Sequence, residues 1–249
     1  MHIYNAYKDS GIKWIGEIPE HWEVKRLASC FTENKKTNSD LSVIEAYKFY
    51  YGTLVRKDVG IDVKDVKDTY SKYTVLRPND IVINGLNLNY DFVSQRVAIS
   101  NNRGIITSAY LAITPRKNVS PQYYCYLLKT MDCHKLFHGM GTGIRLTLSY
   151  GELKKQPIVI PPLSEQEAIV DFIDRKASKI DAYIADKERE LQLLGELKQT
   201  EIANVVTKGL NPNAPMKDSG IPWIGIIPEH WEVKRLASCF TENKKTNSN

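Results

Sequence analysis

Cysteine, long apolar runs and catalytic signatures are all scarce in this chain, and each shortage removes a class of function. Four cysteines, Cys30, Cys125, Cys133 and Cys239, are too few and too scattered for a disulfide framework, so reduced thiols in a cytoplasmic protein are expected. No apolar run approaches the ~20 residues that cross a bilayer, and Met1-His2-Ile3-Tyr4 does not open a secretory signal. There is no Gly-x-Gly-x-x-Gly and no P-loop, so neither a dinucleotide nor a nucleotide triphosphate site is signalled. An Asn/Asp-Pro-Pro-aromatic motif is missing, which removes the amino-methyltransferases. Cys125 and Cys133, with His134 and His138 nearby, fit no common zinc spacing. Asp80 with Glu152-Leu153-Lys154 can be forced into a nuclease pattern, but the same triplet recurs at Glu196-Leu197-Lys198. No catalytic constellation survives.

What is present suits a soluble protein of one or two units: 249 residues, 42% apolar, 25% charged. The net charge of +5 is modest. The stretch from Ser164 to Lys208 is rich in both signs, so the basic excess belongs largely to the remainder and mildly favours a polyanionic partner.

The most informative feature is an internal repeat. Lys8–Ser39 recurs as Lys217–Ser248 with two differences, Lys13 against Pro222 and Glu17 against Ile226. The offset is far longer than the 20–50 residues of a stacked solenoid repeat. It marks a unit instead: segment, globular body, long helix, segment again. Within the segment, Trp14, Ile15, Ile18, Pro19, Trp22 and Val24 read as an extended docked strip with a turn at Pro19-Glu20-His21, then a short helix around Leu27–Glu33.

Residues from about 40 to 160 read as a mixed α/β (α+β) body. Strands are expected at Phe49–Gly52, Thr74–Leu76, Ile81–Ile83, Ala109–Ile113 and Ile158–Ile160, with a turn at Arg77–Asp80. Val97–Ile99 and Ile105–Ile106 around Asn101–Gly104 suggest a hairpin-like connection. Ser120-Pro121 starts a helix that carries Tyr124, Leu127, Leu128 and Met131 inward.

After Pro161-Pro162, Ser164 and Glu167 form a capping-box pattern. Apolar residues then recur at near-heptad spacing: Ile169, Ile173, Ile180, Ile184, Leu191, Leu194 and Leu197. Lys208-Gly209 supplies a C-terminal cation and an αL cap. A long coiled-coil-forming α-helix over 164–208 follows, and its seam asks for a partner. The organisation is therefore a domain at 1–160, a helix at 161–210, and a C-terminal repeat at 211–249.

Several stretches together resemble the specificity subunit of type I restriction–modification systems. They are Tyr7–Gly11 with Trp14-Ile15-Gly16 and His21-Trp22, Leu76–Ile81, Arg103–Tyr110, Gly141–Arg145, Ile160–Gln166 and Val206–Leu210. The resemblance implies a target recognition domain followed by a spacer helix. In that family two such units share one chain, their helices pack antiparallel, and each recognition domain reads half of a bipartite DNA site. This chain holds one complete unit and the opening of a second, so the resemblance implies a half-length, non-enzymatic form. Its partners would be double-stranded DNA, methyltransferase and restriction subunits, and a second copy through the helix. It would need no cofactor itself, S-adenosylmethionine and ATP belonging to partner subunits. A stand-alone dimeric DNA-binding protein, and an inert truncated product of a recombining locus, are the competing readings.

Base edges are matched by amides, hydroxyls and arginine. The candidate DNA contacts are therefore Asn84, Asn87, Asn89, Tyr90, Gln95 and Arg96 in one run and Arg103, Thr107, Ser108 and Tyr110 in a second. Thr142 and Arg145 lie in a glycine-rich turn suited to laying backbone N–H groups and the arginine against a phosphate. Turn-capping by the asparagines is the alternative for the first run. The C-terminal repeat is expected to be ordered at least to Trp231 and to fray over 244–249.

Overall fold

The computed structural model describes residues 4–57, 63–90, 92–93, 95–143 and 146–240, with 63–66 as backbone only. It divides into two units, Met1–Arg175 and Lys176–Asn249. In chain order the first holds β1 (Tyr7–Asp9), β2 (Glu17–Pro19), β3 (Glu23–Arg26), β4 (Phe31–Glu33), β5 (Tyr47–Tyr50), β6 (Thr53–Arg56) and α1 (Val63–Tyr70). Then come β7 (Thr74–Leu76), β8 (Ile81–Ile83), β9 (Val97–Ile99), β10 (Gly104–Ile106), β11 (Leu111–Pro115), α2 (Pro121–Cys133), α3 (Tyr150–Leu153) and β12 (Pro157–Ile160). The long helix α4 (Leu163–Lys208) runs from the first unit into the second, where β13 (Met216–Asp218) and β14 (Ile226–Pro228) follow.

The centre of the first unit is a four-stranded antiparallel sheet in the order β4-β11-β8-β9. Ile81, Ile83, Val97 and Ile113 leave it to meet Phe31, Tyr124, Leu128, Met131 and Phe137, all buried. Each such side chain contributes about 1.5–3 kcal/mol on leaving water. α2 starts as its sequence predicts, with Pro121 in the first turn and the Ser120 hydroxyl accepting from Tyr123 N–H at 3.4 Å. Asp80, fully buried, ties three elements together. One carboxylate oxygen accepts from the Asn34 amide at 2.7 Å and from Arg77 N–H at 2.8 Å, and the other from the Thr114 hydroxyl at 2.6 Å.

Four sequence expectations need correction, the first being the strand expected over Phe49–Gly52, which lies at Tyr47–Tyr50 with Tyr51 and Gly52 in the turn that follows. Leu27–Glu33 is a single 3-10 turn at Leu27–Ser29 followed by β4, because β11 offers Phe31–Glu33 an antiparallel edge. Val97–Ile99 and Ile105–Ile106 do not pair with each other: β9 joins β8 and β10 joins β7. Ser100 holds them apart by bonding to Asn79 and Asp80 through its main chain. The strand expected from Ala109 begins at Leu111.

α4 begins one residue before the expected cap. The Pro162 carbonyl accepts from Glu165 and Gln166 N–H, so Ser164 already lies in the first turn. The anchoring falls to its neighbours. Gln166, buried, donates to the Pro161 carbonyl at 2.8 Å and accepts from Ser120 N–H at 2.9 Å. Ile169, partly buried, packs against the core of its own domain. At the other end Gly209 adopts φ +76° and donates to the Val205 carbonyl, the αL stop the sequence predicts.

In the second unit, Ile180, Ile184, Leu191, Leu194 and Leu197 are all exposed, Leu191 by 70%. β13 and β14 form a hairpin whose register repeats that of β1 and β2: Lys217 faces Ile227 as Lys8 faces Ile18. Residues 241–249, including the expected fraying end, lie outside the described residues.

Candidate DNA-recognition surface

Two ends of the sheet carry different chemistry. At one end Ile83 faces both Leu111 and Val97. The loop 84–96 therefore leaves and re-enters the sheet there, and Thr107–Tyr110 arrives at the same place. The turn around Thr142 joins them through the main chain, since Leu88 N–H donates to the Leu146 carbonyl and Leu148 N–H to the Gly85 carbonyl. Gly85 permits that approach: a Cβ there would stand 2.8 Å from that of Leu148. Asn84, Asn87, Asn89, Tyr90, Gln95, Thr107, Ser108, Tyr110 and Thr142 are thus brought to one end. They are amides, hydroxyls and aromatics, the groups that match base edges.

Several of these side chains serve the loop as well. The Asn84 carboxamide oxygen accepts from Leu86 N–H at 3.2 Å, and Asn87 adopts φ +51°, so both shape turns. The Thr107 hydroxyl accepts from Ala109 N–H at 3.4 Å, and Tyr110 packs its ring against Phe49. Asn87, Tyr90, Gln95, Ser108 and Thr142 are exposed, Tyr90 by 79%.

Arg96 is corrected. It is fully buried, and its guanidinium donates to the carbonyls of Asn84 at 3.0 Å and Leu86 at 2.8 Å. Its own N–H donates to Asp132 at 2.7 Å, and burial pushes that carboxyl above the usual carboxylate range against the opposing pull of this hydrogen bond. Arg96 holds the loop by its neck and offers nothing to a base.

Arg103 is not with the others. It precedes Gly104, which faces Leu76 at the start of the Arg77–Asp80 turn, at the opposite end of β9. There it joins exposed Arg77, Asn101 and Asn102, a set suited to phosphates. Arg145 lies outside the described residues.

Sequence reasoning missed two groups. Tyr50 and Tyr51 are exposed at the β5–β6 turn, where Gly52 lies against the Gln95 side chain. Phe92 and Val93 are exposed in the loop 84–96. Large apolar side chains in a turn and a polar loop were the available signal.

A second cluster positions the helix. Glu165, in its first turn, accepts from the Tyr4 hydroxyl at 2.7 Å and the Trp22 indole at 2.9 Å on one oxygen, and lies 2.6 Å from His21 Nε2 on the other. Burial pushes this carboxyl up, but the three hydrogen bonds outweigh it and hold the carboxyl below the ordinary glutamate range. The same contact pushes the Tyr4 phenol up to about 12.

A strand-rich domain followed by a long helix is the arrangement the resemblance implies. The family model for the type I restriction modification DNA specificity domain matches residues 19–192. The chain belongs to that family. It is 28% identical over 243 residues to the type I restriction enzyme MjaVIII specificity subunit of Methanocaldococcus jannaschii, covering 94% of this chain and 53% of that protein. A second protein of that organism, named for a type I restriction enzyme MjaX specificity subunit, is 26% identical over 254 residues, covering 95% and 57%. The chain spans about half the length of the curated relatives it matches. The fold is similar to that of a chain in a solved structure described as "Structural basis underlying complex assembly and conformational transition of the type I R-M system". The TM-score is 0.53 at 16% identity, over 78% of this chain and 47% of that one. Among the described residues no helix is long and apolar enough to cross a membrane, and no group of His, Cys, Asp and Glu is placed to hold a metal ion.

Proposed function

We propose that this chain is a DNA sequence-recognition subunit of a type I restriction–modification complex that works as two copies paired through α4. Each copy reads one half-site with the loop 84–96, the 107–110 turn and the turn around Thr142, while Arg77 and Arg103 take phosphates. Both half-sites are then read by the same residues, so the target is an interrupted palindrome and α4 sets the gap. The chain itself is non-catalytic. It positions methyltransferase subunits that bind S-adenosylmethionine and restriction subunits that use ATP, in the cytoplasm and in defence against phage.

The observation that carries this reading is the exposed seam of α4. Six large aliphatic residues from Ile180 to Leu197, the five of the seam and Leu193, stand in water on a 46-residue helix. Such a seam is stable when it packs against a second helix, and a copy of itself supplies the matching spacing. Light scattering at micromolar concentration is expected to give a dimer, and Ile184→Asp with Leu191→Asp a monomer whose recognition domain stays folded. A stable wild-type monomer would contradict the reading.

A further inference from the structure

The second copy of the repeat keeps the hairpin, with Ile227 buried and Trp231 beside Gly209, but its last apolar residues stand in water. Residues 7–31 spend their apolar side chains on the body: Leu27 is 1% exposed and Phe31 fully buried. Their counterparts Leu236 and Phe240 are 77% and 70% exposed. Glu23–Arg26 form a strand on β12, whereas the identical residues Glu232–Arg235 form none. Yet the hairpins agree in detail. Ser10 N–H donates to the Gly16 carbonyl at 3.0 Å and Ser219 N–H to the Gly225 carbonyl at 2.9 Å. Asp9 and Asp218 each accept from the glycine two residues on at 2.9 Å.

We infer that residues 216–240 are a second docking segment, which takes the place of residues 7–31 on the body of a second copy of this chain. The receiving site is already formed, because residues 7–31 occupy it. It consists of the β12 edge for Glu232–Arg235, the pocket over Ile113 and Tyr124 for Leu236 and Phe240, and the Glu165 carboxylate for His230 and Trp231. Few contacts change, since Tyr7 against Met216, Lys13 against Pro222 and Glu17 against Ile226 are the differences over this span, and all three tail residues are apolar. The two segments of one chain are joined through a 46-residue helix, about 69 Å long at 1.5 Å per residue. A second copy is therefore the occupant. The two segments compete for one site, so exchange costs one docked segment and restores another.

This inference rests on the pairing of two copies, and the test separates the two claims. Arg26 and Pro157 are paired across β3 and β12, both exposed, at a spacing a disulfide can bridge. In full-length chain carrying Cys133→Ser and Cys239→Ser, Arg26→Cys with Pro157→Cys should link within one chain under a mild oxidant. Arg235→Cys with Pro157→Cys should instead link two chains, in on the order of one chain in ten or more given near-identical competitors. Adding Phe31→Ala should raise that fraction several-fold, because the tail keeps Phe240. A protein that light scattering shows to be a dimer, but in which positions 235 and 157 never link, overturns the exchange and leaves helix pairing standing. A monomer without the link overturns both.

Discussion

Residues 8–31 and 217–240 are one peptide in two settings, and the contrast separates what a segment encodes from what its surroundings supply. The hairpin is local: the same glycines hold φ near +70° in both copies, at Gly11 and Gly220 and at Gly16 and Gly225. Strand β3 and the burial of Leu27 and Phe31 are not local. They exist only where a free β12 edge and an apolar pocket are present. A segment can therefore be folded and still be unfinished.

The comparison breaks most visibly at the phenylalanines. Phe31→Ala should cost about 3–5 kcal/mol by opening a cavity in the core. Phe240→Ala should change stability by about 0.5 kcal/mol or less in the isolated chain, as chemical denaturation would read. Equal effects would mean the tail is docked.

At the hairpin glycines the two copies should behave alike. Gly16→Ala and Gly225→Ala each place a side chain at positive φ, a local strain of about 1–2 kcal/mol. Amide exchange at Ser10 and at Ser219 should accelerate by similar factors, of order ten. A large difference would show that the second hairpin owes its form to something other than its own residues.

The smallest effect concerns Glu165. Its carboxyl is held below the ordinary glutamate value near ~4.3, so its contribution is fully present above that value and is lost as pH falls through the lower folded value. Trp22 emission should shift across that acid window, read in a protein keeping only that tryptophan. Glu165→Gln should remove the transition and cost about 1 kcal/mol at neutral pH.

Much of this was legible in the sequence, for reasons that differ by element. Ser120-Pro121, the α4 periodicity and Gly209 are signals confined to a turn or a helix face, and each reappears in the structure. β4 reads as helix in the sequence because its strand form depends on β11, some eighty residues away, and no local pattern carries that. The pairing of β9 with β8 rather than β10 has the same origin. For the candidate site, residue chemistry named the loop 84–96 and the 107–110 turn, which the fold brings to one end of the sheet, but not direction. Arg96 has the composition of a base reader and points into the protein, while Arg103 lies at the other end of the sheet. Composition names candidates, and only burial assigns them a side.

The central claim is that one recognition surface is used twice across a paired helix. The most direct measurement is to map methylated adenines in cells carrying this chain together with a methyltransferase subunit of its system. The account predicts a single interrupted palindrome whose half-sites change together when Asn87 or Gln95 is substituted. An asymmetric, non-palindromic site would contradict it.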